Sequence, residues 1–258
     1  DWRNTTTPYG PLHLGLGKAV TWLVGENVTA GLVVYRMIAL AGFALIAWAV
    51  PRIAAQIGGS PALAWWLGVA NPVMLMHLIG GMHNEAVMVG LVSAGLLSCL
   101  RRRWCTPGIV LIALAVSLKA TAAVALPFVV WLMVKRHSST LAGQVGTLAA
   151  CGAWALTINV GVIQVVTWVS GTTWGWLAEI TGNSKVINPL AGPTLAAELI
   201  TPLLQLFDDT FRYNTALAWT RAIFSGLMLA GLAAAWWIFR PRRGEAYERR
   251  AIAGTTAA

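Results

Sequence analysis

A lysine, a glutamate and a histidine stand out in this 258-residue chain because each interrupts a long apolar stretch. Lys119, in Ser117-Leu118-Lys119-Ala120-Thr121, is a cation of the kind that holds a phosphate or another anion. His83-Asn84-Glu85 places an imidazole, an amide and a carboxylate side by side where an apolar segment begins. Ionisable groups at such depth usually serve function, since lipid penalises them heavily. Arg36 offers a second cation for the same anion, or a partner for Glu85. The stretch Asp1-Trp2-Arg3-Asn4-Thr5-Thr6-Thr7-Pro8-Tyr9-Gly10-Pro11-Leu12 sets two prolines around Tyr9-Gly10 and so reads as a rigid extended loop. Arg3 and Tyr9 could there rim a sugar or lipid-phosphate site. Each feature also has a structural alternative: an aromatic-belt loop, a polar turn with Asn84 as N-cap, a snorkelling lysine, an intramembrane Arg36 ion pair. His77 reads as a core histidine, and Asp208-Asp209 as a solvated turn rather than a catalytic pair. No His, Cys, Asp or Glu spacing suggests a metal site, and no cofactor is called for.

The elements that position these groups follow from composition. Hydrophobic residues make up 57% of the chain and charged ones 10%, with mean hydropathy +0.68. A soluble domain carries about 25% charged residues, so a water-soluble enzyme and a disordered chain are both excluded. The net charge of +9 comes in short basic clusters between apolar runs, which speaks for membrane topology rather than nucleic acid. Cys99, Cys105 and Cys151 lie in or beside apolar runs and read as small hydrophobes. The first residues do not read as a signal peptide, and the chain is expected to be a fragment of a longer membrane protein.

The expected class is an all-α, polytopic transmembrane protein with about seven spans or half-spans. Residues 1–27 form an outer loop and interfacial segment. Residues 28–169 carry six apolar spans, the first ending at Pro51-Arg52 and the second, 62–80, containing Asn71-Pro72. One helix over 107–134 would run about 42 Å, longer than a hydrocarbon core of about 30 Å. Two short helices meeting near Lys119 instead keep the triple arginine, 101–103, and Lys135-Arg136 on one side. An outer loop, 170–215, holds an amphipathic stretch with Leu195, Leu199, Ile200, Leu203, Leu204 and Phe207 at helical spacing. A last span, 216–239, precedes a polar tail, 240–258. Arg52 and the basic clusters fall on one face, assigned to the cytoplasm, while the unusual polar residues fall on the other.

At these residues the chain resembles the polyprenol-phosphate-mannose-dependent α-(1→6)-mannosyltransferases of mycobacteria and their relatives. The resemblance is carried by Trp2-Arg3-Asn4-Thr5 through Pro8-Tyr9-Gly10-Pro11-Leu12, Gly25-Glu26-Asn27, Trp65, Leu67-Gly68, Asn71-Pro72 and Gly80-Gly81-Met82-His83-Asn84-Glu85-Ala86. Weaker echoes are Lys119 with Ala125-Leu126-Pro127, and Trp174-Gly175-Trp176-Leu177. It implies a GT-C glycosyltransferase of the plasma membrane with its active face away from the cytoplasm. It also implies a polyprenyl phosphate mannose donor and a mannan glycolipid acceptor of lipomannan and lipoarabinomannan. Inverting transfer then needs a carboxylate base and cations for the departing phosphate. The implied main base precedes Asp1, Glu85 is the candidate carboxylate inside the chain, and the fragment alone is expected to be inactive. Arg3, Tyr9, Arg36, His83, Asn84 and Lys119 are the candidate substrate-binding residues. Competing readings are another GT-C enzyme of arabinofuranosyl or mannosyl type, a secondary transporter domain, for which no inverted repeat is found, and a noncatalytic membrane scaffold.

Overall fold

The computed structural model describes residue 7 and residues 9–101, 104–137, 141–182, 189–240 and 247–257; Arg3 lies outside them. Every regular element among these residues is helical. They are α1 (Pro11–Val24), α2 (Val28–Gln56), α3 (Pro61–Gly68), α4 (Pro72–Gly80, π-helical from Leu75) and α5 (Glu85–Leu100). There follow α6 (Cys105–Leu118), a 3-10 segment (Ala120–Ala125), α7 (Leu126–His137), α8 (Leu141–Ser170), α9 (Trp176–Gly182), α10 (Gly192–Gln205), α11 (Tyr213–Ile238) and α12 (Tyr247–Ala257). Val28–Gln56, Gly143–Ser170 and Tyr213–Ile238 are long and apolar enough to cross a membrane, and the bent pair α3–α4 makes a fourth. The chain is thus an all-α polytopic membrane protein.

Helix ends have identifiable causes. Asn71 accepts a hydrogen bond from the Val73 amide at 2.9 Å and Pro72 occupies the first helical position, so α4 starts afresh and the α3–α4 pair bends by 47°. The expected stop at Pro51-Arg52 does not occur, and α2 continues to Gln56. Arg52 folds back along the same helix, donating from Nη1 to the Trp48 carbonyl at 2.7 Å with its guanidinium over the Trp48 ring. Further along, Arg249 of α12 reaches the Ile57 and Gly58 carbonyls beyond α2. Lys119 leaves α6 with φ −152° and ψ 126°, an extended geometry that no helix continues through.

Close backbone approach builds the framework. A Cβ at Gly42 of α2 would stand 2.5 Å from the Val87 nitrogen, and one at Gly90 of α5 2.5 Å from the Gly42 carbonyl oxygen. With Ala39 near Ala86 and Ala49 and Ile53 near Leu97, α2 and α5 run parallel in tight contact. Small residues serve this purpose in lipid, where there is no water to drive apolar faces together. The main core joins α5, α6, α7 and α8 through residues such as Ile112, Val129, Val134 and Ala155. Cys99, Cys105 and Cys151 are free and buried in it.

The bundle has two chemically distinct ends, separated by the ~24 Å length of the 16-residue α5. Arg101 caps its C-terminus, and Arg136 donates to the Leu100 carbonyl at 3.0 Å there. Glu85 opens its N-terminus at the other end. The outward face of α10 inverts the pattern of a soluble helix: Ala197 is wholly buried while Leu199 and Leu203 are 71% and 60% exposed. Thr194, Ala197 and Thr201 make the inner face.

Candidate functional site

The α5–α6 hairpin returns the chain to the end where it began, and this brings Lys119 to Glu85. The Lys119 ammonium donates to Glu85 Oε1 in a close ion pair. Glu85 sits in the first turn of α5, where unpaired amides favour a carboxylate. Its other oxygen, Oε2, has no hydrogen bond and lies 3.6 Å from His83 Nδ1. The His83 ring stacks on His77 with centroids 4.3 Å apart and planes 17° from parallel. His77 is therefore exposed at the rim, not the core histidine the sequence suggests, because the π-helical turn of α4 rotates it outward toward His83.

Asn84 precedes α5 in helical conformation and does not cap it. Its amide Nδ2 lies 3.5 Å from His13 Nδ1 instead. The N-cap alternative for Asn84 is thus replaced by a polar contact to a residue 71 positions earlier in the chain. His13, in the first turn of α1, also faces the Tyr9 ring with centroids 4.5 Å apart. Burial lowers the His13 pKa below its ordinary value, against the opposing pull of the Glu85 charge, and so favours the uncharged imidazole.

Gly10 locks this arrangement. Its amide donates to the Leu118 carbonyl at 3.1 Å, and any Cβ there would collide with the Ser117 carbonyl. Tyr9-Gly10-Pro11 is thereby docked on the end of α6, which places the Tyr9 ring 5.9 Å from the Lys119 ammonium. Between α1, α2 and the start of α5 lies a cavity of about 350 Å³, edged by Tyr9, His13, Tyr35, Met82, His83 and Asn84. Met82 turns the chain into it with φ +50°.

Of the residues singled out from sequence, Tyr9, His83, Asn84, Glu85 and Lys119 converge here. Arg36 does not: it is exposed, and Glu85 has Lys119 as its ion-pair partner and His83 beside it. The helical repeat explains it, since Tyr35, Ile38 and Ala39 face the cavity and Arg36 stands about 100° around from Tyr35. His13 and Tyr35 are new members. A histidine one turn beyond Tyr9, directly behind the Pro-Tyr-Gly-Pro segment, was the available signal for the first. Lys18 is also engaged, donating to the Ser170 carbonyl at 2.7 Å and so fastening α1 to the end of α8. Asp208 accepts from the Thr210 amide at 3.0 Å and hydroxyl at 2.7 Å, the self-contained turn anticipated for Asp208-Asp209. Among the described residues no three His, Cys, Asp or Glu side chains gather as a metal site.

Comparison with known proteins gives this cluster a chemical context. Residues 1–135 match the family described as alpha-(1->6)-mannopyranosyltransferase, N-terminal domain. Alpha-(1->6)-mannopyranosyltransferase A of Corynebacterium glutamicum is 51% identical over 269 residues, covering 100% of this chain and 54% of the relative. The protein of the same name from Mycobacterium tuberculosis is 42% identical over 93% of this chain and 46% of the relative. A probable alpha-(1->6)-mannopyranosyltransferase of Mycolicibacterium smegmatis is 34% identical over 94% and 47%. The chain spans about half the length of these curated relatives. No solved structure matches it.

Proposed function

The chain belongs to the α-(1→6)-mannopyranosyltransferase family, and from that premise we propose that it forms part of a membrane mannosyltransferase. The donor is polyprenyl phosphate mannose, the acceptor the growing α-(1→6)-mannan of lipomannan and lipoarabinomannan, and the face is the outer side of the plasma membrane. The fold is of GT-C type. The observation that supports this reading is the Lys119–Glu85 pair, set at the bundle end opposite Arg101 and Arg136 and beside a polar, aromatic cavity.

The chemistry is a displacement at the anomeric carbon. The acceptor hydroxyl oxygen bonds to C1 of mannose, the C1–O bond to phosphate breaks, and polyprenyl phosphate departs with the electron pair. Lys119 neutralises the phosphate oxygens, a charge-assisted contact that strengthens as the bond breaks. A carboxylate accepts the hydroxyl proton. In this cluster Glu85 is the carboxylate among the described residues, and its Oε2 carries no hydrogen bond in the resting state. His83 stands on the far side of Glu85, its Nδ1 3.6 Å from Oε2, and remains beside the carboxylate when phosphate claims Lys119.

In the full-length enzyme, Glu85→Gln and Lys119→Ala are each expected to lower mannosyl transfer about a hundredfold, the scale of losing one transition-state charge contact. Undiminished transfer in both variants removes these roles. Transport of a solute into vesicles without glycosyl transfer would instead favour a transporter.

A further inference from the structure

Lys119 marks the place of a phosphate, and the cavity next to it has the walls that a sugar ring requires. Its volume of about 350 Å³ falls within the ~300–1,000 Å³ typical of small-ligand sites. Two phenol rings, Tyr9 and Tyr35, edge it from separate elements, and Leu118 and Val87 add apolar surface. Phenol rings offer an apolar face for C–H groups together with a hydroxyl at the tip. The polar groups between them are Asn84, His13 and His83, an amide and two imidazoles. An amide both donates and accepts, and so does an imidazole with one ring nitrogen protonated, which matches hydroxyl groups that do both. A site for a free carboxylate or phosphate would carry lysine or arginine here instead, and the cavity lining has neither.

The anchoring is built in before any ligand arrives. Gly10 pins Tyr9 to the end of α6, Asn84 is held off the helix cap against His13, and the Gly42–Gly90 contact fixes Tyr35 relative to Asn84. Tyr9 belongs to both features, edging the cavity and lying 5.9 Å beneath the Lys119 ammonium. A group seated in the cavity is therefore next to a phosphate held by Lys119, which is the relation of the first sugar to its phosphate in a glycosyl phosphate lipid.

We propose that this cavity seats the hexosyl unit of the donor, with His13 and Tyr35 as its hydroxyl- and ring-contacting residues. The inference rests on the reading of Lys119 as the donor-phosphate residue.

The test measures binding of polyprenyl phosphate mannose and of bare polyprenyl phosphate to the protein in phospholipid nanodiscs. His13→Ala and Tyr35→Leu are expected to raise Kd for the mannosylated lipid about fivefold to tenfold, the scale of a lost contact, and to leave Kd for the bare lipid unchanged. The unchanged bare-lipid affinity also reports that the variants are folded. Lys119→Ala is expected to weaken both lipids alike. If wild type and Lys119→Ala behave so but both cavity variants bind the mannosylated lipid normally, or weaken both lipids equally, the hexosyl seat is overturned while the phosphate role stands. Wild type that binds neither lipid overturns the functional reading itself.

Discussion

Glu85 occupies a position that would be costly for a lone carboxylate, and what makes it tolerable is the set of charges arranged around it. The ammonium of Lys119 takes one oxygen, the first amides of α5 add partial positive charge, and His83 waits beside the other oxygen. His13 is tuned the opposite way, kept neutral by burial although Glu85 favours its protonation. A histidine whose folded-state pKa is depressed binds fewer protons than the unfolded chain below the ordinary value of about 6.5. Its contribution is therefore fully present above that value and is lost as pH falls through it. The groups facing it are Glu85, Tyr9, Asn84 and, beyond the tyrosine ring, Lys119. Between about pH 7.5 and pH 5.5 the wild-type Tm is expected to drop further than that of His13→Gln, which stays uncharged throughout. Parallel Tm curves for the two proteins would show that His13 is not held neutral.

Helix contacts rather than helix propensities set where these side chains meet. Gly42→Leu is expected to destabilise the protein by about 1–3 kcal/mol, the scale of overpacking, and to weaken mannosylated-lipid binding by pushing α2 and Tyr35 away from α5. Gly226→Leu in α11, where nothing stands within 4 Å of an added Cβ, is expected to change stability by no more than about 0.5 kcal/mol. Equal unfolding midpoints for the two variants would contradict the close α2–α5 packing. The sequence made some of this readable and some not. The break at Asn71-Pro72 and the polar interruption at His83-Asn84-Glu85 were plain, because proline and buried charge act locally. The overrun of α2 through Pro51 was hidden, since a proline reads the same locally whether it ends a helix or only removes one amide from it. His13 was hidden because its partner Asn84 is 71 residues away. Arg36 misled because one residue along a helix changes the face entirely.

At the scale of the whole molecule, charge is sorted by end. Arg101, Arg136 and Arg249 bind helix C-termini or the carbonyls just beyond them at one end, while Glu85, Lys119, His13 and Tyr9 gather at the other. The proposed sidedness predicts that a membrane-impermeant maleimide applied outside intact cells labels Asp209→Cys and not Thr256→Cys. Both positions are exposed and the three native cysteines are buried, so background labelling is low. The reverse pattern would invert the orientation and remove the outer-face assignment. The hydrogen bond from Gly10 to Leu118 carries one more consequence, and it concerns time. Its two ends are 108 residues apart, and a ribosome adding about 5–20 residues each second needs roughly 5–20 s to supply the second after the first. Throughout that interval α1 has been made but lacks this hydrogen bond, which becomes possible only once the end of α6 has been added. The cavity is thus assembled late, by a segment that was synthesised early and waited.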